Sequence, residues 1–249
     1  MIVLKSSNEL KLMREAGRIV AVVLNELKEQ VKPGVSTAQL DAIAEEMIRH
    51  QGAISAFKGF RGFPATITTC INEELVHGIP SRKRILREGD IFSVDCGVIY
   101  KGWVGDAAIT LPVGQISPEA RRLLEVTEAS LLEGIKYACE GNRSGDISAA
   151  VQAYVEKHGY NVAREYTGHG VGRSMHEEPQ VPNYGKKGRG VRLRRGMTIA
   201  LEPMVNAGTW KTRALADQWT IVTDDGKLSA HFEHSIAVTE GDPLILTSL

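Results

Sequence analysis

The stretch IFSVDCGVIYKGWVGDAAITL (residues 91–111) contains two apolar, β-rich runs joined by Tyr100-Lys101-Gly102, a pattern that predicts a β-hairpin. A turn centred between Tyr100 and Lys101 places Asp95 directly opposite Asp106. Directly opposed residues have Cβ atoms about 4.5–5.5 Å apart, and like charges there destabilise a sheet. Two carboxylates on one face of an apolar hairpin therefore need a cation between them or must share a proton. The alternative is that both point into water, but we predict a metal site.

The composition indicates one cytoplasmic domain. The 249 residues suffice for a substantial core and no linker or repeat divides them, so we predict a single domain over residues 1–249. Thirty basic residues balance thirty acidic ones, which excludes a global attraction to nucleic acid or to an anionic membrane. The chain start lacks a signal-peptide pattern, and no apolar run is long enough to span a bilayer. The cysteines lie outside any CxxC spacing and are expected as reduced thiols: Cys70, Cys96 and Cys139.

Helix start and stop signals and β-rich runs predict an α+β fold. The predicted helices run from Ser6 to before Pro33, from Ser36 to before Gly52, from Ser117 to about Cys139, and from Asp146 to His158. The predicted strands are residues 65–71, 91–100, 103–111, 197–206, 218–223 and 231–239. A helix pair followed by strands thus occurs twice, which indicates two αβ halves with mainly antiparallel sheets.

Further metal-ligand candidates lie downstream of the hairpin. His169 and His176 stand in TGHGVGRSMHEEP, where the glycines argue against a helix and favour tight turns. Glu202 precedes a proline in TIALEPMV and is therefore expected in extended backbone. Glu233 lies in the alternating run HFEHSIAV. Each has a simpler interpretation: the histidines as packed residues, Glu202 as a solvated strand residue, and Glu233 as a partner of its neighbouring histidines.

The charges of the combined set favour a dinuclear site. Asp95, Asp106, Glu202 and Glu233 supply four negative charges, and neutral His169 adds a nitrogen ligand. Two divalent cations balance that charge. Two-metal hydrolases hold their ions about 3.5–4 Å apart with shared carboxylates, so this donor set predicts metal-assisted hydrolysis.

The chain resembles the methionine aminopeptidases, and the likeness covers essentially its whole length. The segments that carry it are INEELVHGIP (71–80), the Asp95/Asp106 hairpin, TGHGVG with MHEEP, ALEPM and FEHSIAVT. The resemblance is to the short bacterial type I enzymes, because the interval from Glu202 to Glu233 leaves no room for the type II insertion. It implies a pita-bread fold, in which two pseudo-symmetric αβ halves with antiparallel sheets enclose a dinuclear metal site.

The resemblance also implies an activity, the metal-dependent removal of N-terminal methionine from nascent proteins and peptides. Two divalent ions (Co, Mn, Fe or Zn) would be held by Asp95, Asp106, His169, Glu202 and Glu233, and a hydroxide that bridges them would attack the first peptide bond. Glu202 would act as the general base. His77 would contact the scissile amide, and His176 would hold the carbonyl oxygen as charge develops on it.

A substrate pocket follows by the same resemblance. The residues at its pocket positions are largely apolar and suit a methionine side chain: Phe57, Phe60, Phe63, Thr68, Met175 and Trp219. Such aromatic residues also occur as ordinary core. We expect a small second residue to be favoured, because the site closes around the substrate backbone. The family further implies a monovalent cation held by backbone oxygens at the positions of Asn72 and Ser229.

Two other functions remain open at this stage. The basic segment Lys186–Arg195 is typical of a solvated loop, but it also suits docking on ribosomal RNA, where nascent N-termini emerge. Xaa-Pro peptidases share the metal residues but generally carry a large N-terminal domain, and this chain has a methionine-type pocket. We expect a monomer, since no long apolar heptad or exposed stripe is evident.

Overall fold

A computed structural model describes residues 2–249 of the chain. Four helices form where their capping signals stand: α1 Ser7–Gln30, α2 Thr37–His50, α3 Pro118–Ile135 and α4 Ser144–Lys157. Ser6 and Ser36 each complete the predicted capping box with the residue three positions later, Glu9 and Gln39. The expected extent of α3 was wrong, since the helix ends at Ile135 and a turn follows it.

The strands pair only in antiparallel fashion in the described part of the chain. Their bounds are β1 Ile54–Ser55, β2 Thr68–Ile71, β3 Glu74–Val76, β4 Ile91–Tyr100, β5 Trp103–Pro112, β6 Asn161–Val162, β7 Thr167–Gly170, β8 Glu177–Pro182, β9 Thr198–Leu201, β10 Met204–Asn206, β11 Thr212–Ala214, β12 Ile221–Thr223, β13 Ser229–His231, β14 His234–Ala237 and β15 Leu244–Ile245. The largest sheet has the order β15-β14-β9-β7-β8, and β4 lies between β5 and β2 in the sheet of the first half. The expected α+β architecture with antiparallel sheets is confirmed.

The β4–β5 hairpin forms, but its register differs from the prediction. Tyr100 pairs with Trp103, so Asp95 lies opposite Ala108 and Asp106 lies opposite Gly97. The expected direct opposition of the two aspartates is therefore wrong. The physical reason is the turn: Lys101 and Gly102 both have positive φ, 50° and 76°, and a two-residue hairpin turn with two positive φ values matches the twist of the strands.

The corrected register keeps both aspartates on one face. A shift of the pairing by two residues preserves the face, because side chains alternate with a period of two. Asp95 and Asp106 become diagonal neighbours, with Cα atoms about 7–8 Å apart, which is still within side-chain reach. The diagonal arrangement leaves room between the carboxylates that direct opposition would remove.

Two predicted continuous strands are each interrupted at a glutamate. The chain leaves the five-stranded sheet after Leu201, passes Glu202 and Pro203, and enters another sheet at Met204. Its antiparallel neighbour is likewise interrupted at Phe232 and Glu233. Pro203 has no N–H to donate and cannot continue a central ladder. Both glutamates therefore lie outside the strands, at the place where two sheets meet.

Each half has its own apolar core. One core lies between α1, α2 and the inner face of the hairpin, and the other lies between α3, α4 and the C-terminal strands. Cys96 is buried in the first core, on the opposite face of β4 from Asp95. Within residues 2–249, no helix combines the length and the apolar composition that crossing a membrane requires.

Helix α1 approaches the hairpin through two glycines. A Cβ on Gly105 would lie 2.7 Å from the carbonyl carbon of Ala16 and from the amide nitrogen of Gly17. A Cβ on Gly17 would lie 2.3 Å from the carbonyl oxygen of Leu246. Backbone therefore packs directly on backbone where the helix crosses β5 and meets the C-terminal segment.

We predict that Gly105→Ala lowers the free energy of unfolding by about 1–3 kcal/mol, the usual cost of overpacking. The added methyl group meets helix backbone, which cannot rotate away as a flexible side chain can. Urea unfolding measures the effect. Gly241→Ala is the matched control, because nothing lies within 4 Å of its added Cβ, and it should change stability by less than about 0.5 kcal/mol. Equal unfolding curves for the two variants would contradict the tight approach of α1.

Candidate metal centre and active site

A cavity of about 220 Å³ opens between the two halves. It brings together every predicted metal, histidine and pocket residue. Its lining includes Phe57, Phe60, Phe63, Thr68, His77, Asp95, Asp106, His169, Met175, His176, Glu202, Trp219 and Glu233. The predicted chemical residues and the predicted pocket residues therefore share one cavity.

Backbone pairing between neighbouring strands aligns the carboxylates across the junction of the halves. Asp95 on β4 lies between Thr68 on β2 and Ala108 on β5. Ala108 also exchanges backbone hydrogen bonds with Glu233, 2.9 and 3.4 Å long. Paired residues project to the same face, so only the small methyl group of Ala108 stands between Asp95 and Glu233. That spacing leaves a gap lined by carboxylate oxygen atoms.

The backbone of Asp106 is held by hydrogen bonds to Ser235. Its backbone N–H donates to the Ser235 hydroxyl at 3.2 Å, and that hydroxyl donates to the Asp106 carbonyl oxygen at 2.8 Å. Opposite Asp106 stands Gly97, where a Cβ would lie 2.7 Å from Met175 and from Phe57. The missing side chain at Gly97 therefore makes the space into which the pocket residues reach.

The carboxylates are buried without enough partners. Oδ1 of Asp95, Oδ1 of Asp106 and Oε1 of Glu233 are shielded from solvent and accept no hydrogen bond within residues 2–249. Burial raises the pKa of Asp106 to about 7. Burial, together with repulsion from Asp106, raises the pKa values of Asp95, Glu202 and Glu233 well above their usual range. A buried unpaired carboxylate is costly, so this set requires positive charge.

His169 supplies the nitrogen donor in a defined tautomer. Its Nδ1–H donates to the Gly170 carbonyl oxygen at 2.9 Å, which leaves the Nε2 lone pair facing the carboxylates. Nε2 lies 3.8 Å from Oδ2 of Asp106 and 3.4 Å from Oε1 of Glu202. Burial lowers the pKa of His169 to about 4, so the ring is neutral near pH 7. A neutral imidazole held by such a hydrogen bond is the usual form of a metal-bound histidine.

The donor set fits divalent transition-metal ions. One donor atom from each of Asp106, His169 and Glu233 lies within 4.8 Å of the others, and Asp95 and Glu202 line the same cavity. Four carboxylates with one imidazole suit Mn, Fe, Co or Zn. The unpaired buried oxygen atoms are the independent sign of a fit, because coordination would satisfy them.

His77 stands at the cavity wall in an unusual backbone conformation. Its φ is +61°, a left-handed value that costs free energy outside glycine and often marks functional sites. Its ring makes edge contacts with Tyr166 and Trp219. Burial, with a smaller effect of His176, lowers the pKa of His77 to about 4, so this ring is also neutral near pH 7.

His176 and the aromatic residues form the mouth of the cavity. The ring of His176 lies 4.3 Å from that of His169 and stacks on Phe60 at 5.5 Å. Phe63 packs edge-on against Trp219 at 5.1 Å. Met175 and Phe63 are buried, whereas Phe60 is 36% exposed. The pocket is therefore apolar on one side and faces the carboxylates on the other.

The glycines around His169 do not form tight turns as expected. Gly168 and Gly170 lie in strand β7, between β8 and β9. A Cβ on Gly168 would lie 2.4 Å from the Ala200 carbonyl oxygen, and one on Gly170 would lie 2.3 Å from that of Glu178. These glycines permit close backbone approach in a crowded sheet, which is their other common role in strands.

Five further residues line the cavity and were not predicted: Arg61, Val76, Tyr166, Thr167 and Met204. Strand alternation offered a signal for one of them, because Thr167 stands two residues from His169 on β7 and shares its face. The sequence gives no comparable sign for Tyr166, which reaches the cavity by packing against His77.

Asn72 and Ser229 lie outside the cavity but contact each other. The Ser229 N–H donates to the Asn72 carbonyl oxygen at 2.9 Å. Asn72 has a φ of +57°, and its side chain bonds Asp90 and the Ile91 N–H. The two positions are brought together, while a bound cation there stays a prediction.

Comparisons with known proteins identify the family. Residues 11–240 match metallopeptidase family M24. The chain is 55% identical to methionine aminopeptidase 1 of Bacillus subtilis and 52% identical to a methionine aminopeptidase of Clostridium acetobutylicum, over 99% of each chain. It superposes on the crystal structure of methionine aminopeptidase from Thermotoga maritima with a TM-score of 0.99 and 44% identity, over the full length of both chains. The expected resemblance and the pita-bread fold are confirmed, and the chain belongs to metallopeptidase family M24, among its methionine aminopeptidases.

Proposed function

We propose that this metalloexopeptidase removes N-terminal methionine from nascent proteins and peptides, favouring a small second residue, with two divalent ions at the carboxylate cluster. The observation that carries the proposal is the convergence of unpaired buried carboxylates and neutral His169 beside an apolar pocket. Asp95 would hold one ion and His169 the other. Asp106, Glu202 and Glu233 would complete or bridge the pair. When bound, the ions would supply Lewis-acid polarisation and an activated water.

The protein residues then have separate tasks in the hydrolysis. Glu202 lies beside His169 and has a raised pKa, which suits a general base that accepts the water proton and passes it to the leaving amine. His77 would contact the nitrogen of the scissile amide. His176, at the mouth, would donate a ring N–H to the carbonyl oxygen as negative charge develops there. A neutral imidazole offers one N–H donor and one acceptor nitrogen, so His176 can donate to the carbonyl oxygen while His77 accepts the N–H of the scissile amide.

Substrate selection follows from the two sides of the cavity. The methionine side chain would enter the apolar side, where Met175 and Phe57 contribute soft and aromatic contacts. The free α-amine would face the carboxylate side, which explains why only the first residue is removed. In its neutral form the α-amine could bind a metal ion held there, and an internal peptide nitrogen cannot coordinate in the same way. A small side chain on the second residue would be favoured, because the site would close around the substrate backbone.

The setting proposed for this reaction is the cytoplasm, with the chain acting as a monomer of one domain. The free cysteines support a reducing compartment. The balanced net charge supports a protein that does not adhere to membranes or bind nucleic acid by sequence. A monovalent cation bound near the Asn72 carbonyl oxygen is part of the same proposal.

Ribosome association is proposed for the basic segment Lys186–Arg195. Arg195 pairs with Glu240, but the other basic residues of the segment form no ion pair within residues 2–249. Their side chains are exposed. Two hydrogen bonds hold the loop to the start of α4: the Gly145 N–H donates to the Arg189 carbonyl oxygen, and the Gly188 N–H donates to the Asp146 carboxylate. The exposed basic side chains stand on a loop of fixed backbone, and this supports docking on RNA phosphates.

The peptide specificity is tested with chelated protein reloaded with each divalent metal. Free methionine should be released from Met-Ala-Ser at least about 10-fold faster than from Met-Leu-Ser, since a few methylene groups change transition-state binding by this much or more. No product should form from Xaa-Pro peptides. Equal cleavage of the two Met peptides would refute the second-residue preference. Cleavage of Xaa-Pro peptides would refute the methionine pocket, and no cleavage with any metal would refute the activity.

Metal binding is tested by stability, independently of activity. In metal-free protein the carboxyl pKa values are raised on folding, so the folded state holds protons that the unfolded state has lost, and stability falls as pH rises. The histidines contribute oppositely, through lowered pKa values, but above about pH 7 they are neutral in both states. We therefore predict that the melting temperature is still falling at pH 7. The part due to Asp106 is nearly complete there, because its pKa in the folded protein is about 7, and any further fall up to pH 8.5 comes from the raised pKa values of Asp95, Glu202 and Glu233.

Added Mn²⁺ or Co²⁺ should reverse this fall, since ligands bind metal in their deprotonated form. A metal at 100 times its Kd stabilises the protein by about 2.7 kcal/mol. Asp106→Asn should weaken both the pH dependence and the response to metal, and the exposed Asp242→Asn should change neither. A melting temperature of metal-free protein that is independent of pH and of added metal would disprove the site.

Ribosome docking is tested by co-sedimentation. Replacing Lys186, Lys187 and Arg189 with Gln should reduce binding, and raising salt from about 50 to 200 mM should weaken wild-type binding about 100-fold, as expected for five phosphate contacts. The control replaces three exposed basic residues of the other half, Lys28, Lys32 and Arg49, with Gln. Equal loss in both triple variants would show that only net charge matters and would refute a specific docking segment.

A further inference from the structure

The segment between β7 and β8, residues 171–176, carries two residues of the active site. Met175 lines the pocket, and His176 stands at the cavity mouth beside His169. The segment has no regular secondary structure, so no helix or sheet ladder fixes the position of either side chain. Its geometry must come from contacts with other parts of the chain.

A buried ion pair lies beneath this segment. Nζ of Lys5 is 2.6 Å from Oε2 of Glu177, and the exposed fractions of the two side chains are 2% and 15%. Glu177 directly follows His176. A Cβ on Gly172 would lie 2.7 Å from Cε of Lys5 and 2.5 Å from Oε1 of Glu177. The glycine at that position makes room for the pair.

Glu177 also binds the segment itself, through its second carboxylate oxygen. Oε1 accepts the backbone N–H of Arg173 at 2.7 Å and that of Ser174 at 3.2 Å. One carboxylate thus closes the segment into a loop with one oxygen and binds the lysine with the other. Without Lys5, those two amides would be the remaining hydrogen-bond donors to this carboxylate within residues 2–249.

The lysine itself is fixed in place. Its backbone N–H donates to the Gly196 carbonyl oxygen at 2.7 Å, and its Nζ also donates to the Val3 carbonyl oxygen at 3.2 Å. Gly196 has a φ of +87°, and a Cβ there would lie 2.7 Å from the Lys5 carbonyl oxygen. The few residues before α1 are therefore held against the sheet with the ammonium group pointing inward.

A second support holds the other side of the segment. The Val104 N–H donates to the Gly172 carbonyl oxygen at 2.8 Å, and the Arg173 guanidinium lies 4.0 Å over the Trp103 ring. The hairpin that carries Asp106 thus holds the start of the segment, and Lys5 holds its end through Glu177. Two separate supports thus tie the segment to the rest of the chain.

We propose that Lys5 is a positioning residue for the reaction, acting through Glu177 to fix the placement of Met175 and His176. Buried ion pairs contribute little net stability on average, so a pair placed here serves a defined geometry rather than overall stability. The inference rests on the proposed role of His176 in holding the carbonyl oxygen. It assigns the N-terminal segment, remote in sequence from every proposed metal ligand, to the support of the active site.

The test compares metal-loaded variants on Met-Ala-Ser, with kcat, KM, melting temperature and metal content measured for each. Lys5→Met removes the charge and keeps the stem, and Lys5→Arg keeps the charge. Displacement of a positioned group by about 1 Å costs about 100-fold in rate, so we expect Lys5→Met to lower kcat by about 10- to 100-fold with unchanged metal content. Lys5→Arg should recover most of the loss. KM should also rise, because Met175 lies on the same segment.

Two further sets of variants separate positioning from a structural role. Lys101→Met breaks the exposed pair of Lys101 with Glu15, 2.8 Å long, and should leave kcat unchanged. Glu177→Gln removes the pairing charge while keeping an oxygen that accepts the two amides, and it should reproduce the loss of kcat even if Lys5→Met does not fold. In a His176→Gln background, Lys5→Met should cause no further fall in kcat.

The outcomes are distinguishable. A lowered melting temperature with unchanged kcat in Lys5→Met and Glu177→Gln would overturn the inference and leave the proposed function standing. An equal fall in kcat in the wild-type and His176→Gln backgrounds would also overturn it. Wild-type kcat in His176→Gln alone would instead refute the role of His176, and with it the reason for the support.

Discussion

Repulsion among buried carboxylates is the constraint on which the remaining structure depends. Asp106 raises the pKa of each of the other three acidic groups in the cavity, so the cluster is unfavourable until positive charge enters it. The fold tolerates the repulsion because every member is fixed by backbone rather than by its own side-chain bonds. Asp95 and Asp106 are set by the hairpin, and Glu233 by its pairing with Ala108. Free energy from the two cores holds together charges that would separate in a looser chain.

The two later glutamates show how the chain presents side chains at a junction. Glu202 and Glu233 both stand where a strand leaves one sheet and a new strand begins in another. A residue inside a ladder projects perpendicular to its sheet, whereas a residue at such a break can face the space between sheets. Pro203 enforces one break by lacking an N–H. The same arrangement on neighbouring antiparallel strands brings both carboxylates to the hairpin from the opposite half.

Local signals predicted the four helices and the hairpin strands, and tertiary contacts decided what they missed, including the short strands β1, β3, β6, β7, β8, β11 and β15. The capping serines gave helix starts to within a few residues, and alternation gave the hairpin strands. The predicted register was wrong because the chain turns at Lys101 and Gly102, both at positive φ, one residue later than a turn of Tyr100 and Lys101. The glycines beside His169 were assigned to turns because local sequence does not reveal that Ala200 and Glu178 would crowd them. All metal-ligand candidates met in one cavity, whereas Tyr166 and Lys5 act through packing and pairing over long sequence separations, for which no periodic pattern exists.

The pairing of Ala108 with Glu233 has a consequence for the order of folding. The candidate ligands come from both halves, and the last of them lies close to the C-terminal end of the chain. Loop-closure entropy must be overcome before contacts of such long sequence separation form. Metal ions therefore meet a complete set of donors only after the halves have joined, and partial donor sets on the unfolded chain hold them weakly. Metal should therefore bind after the chain has folded. It should slow unfolding and have little effect on the rate at which the chain first folds.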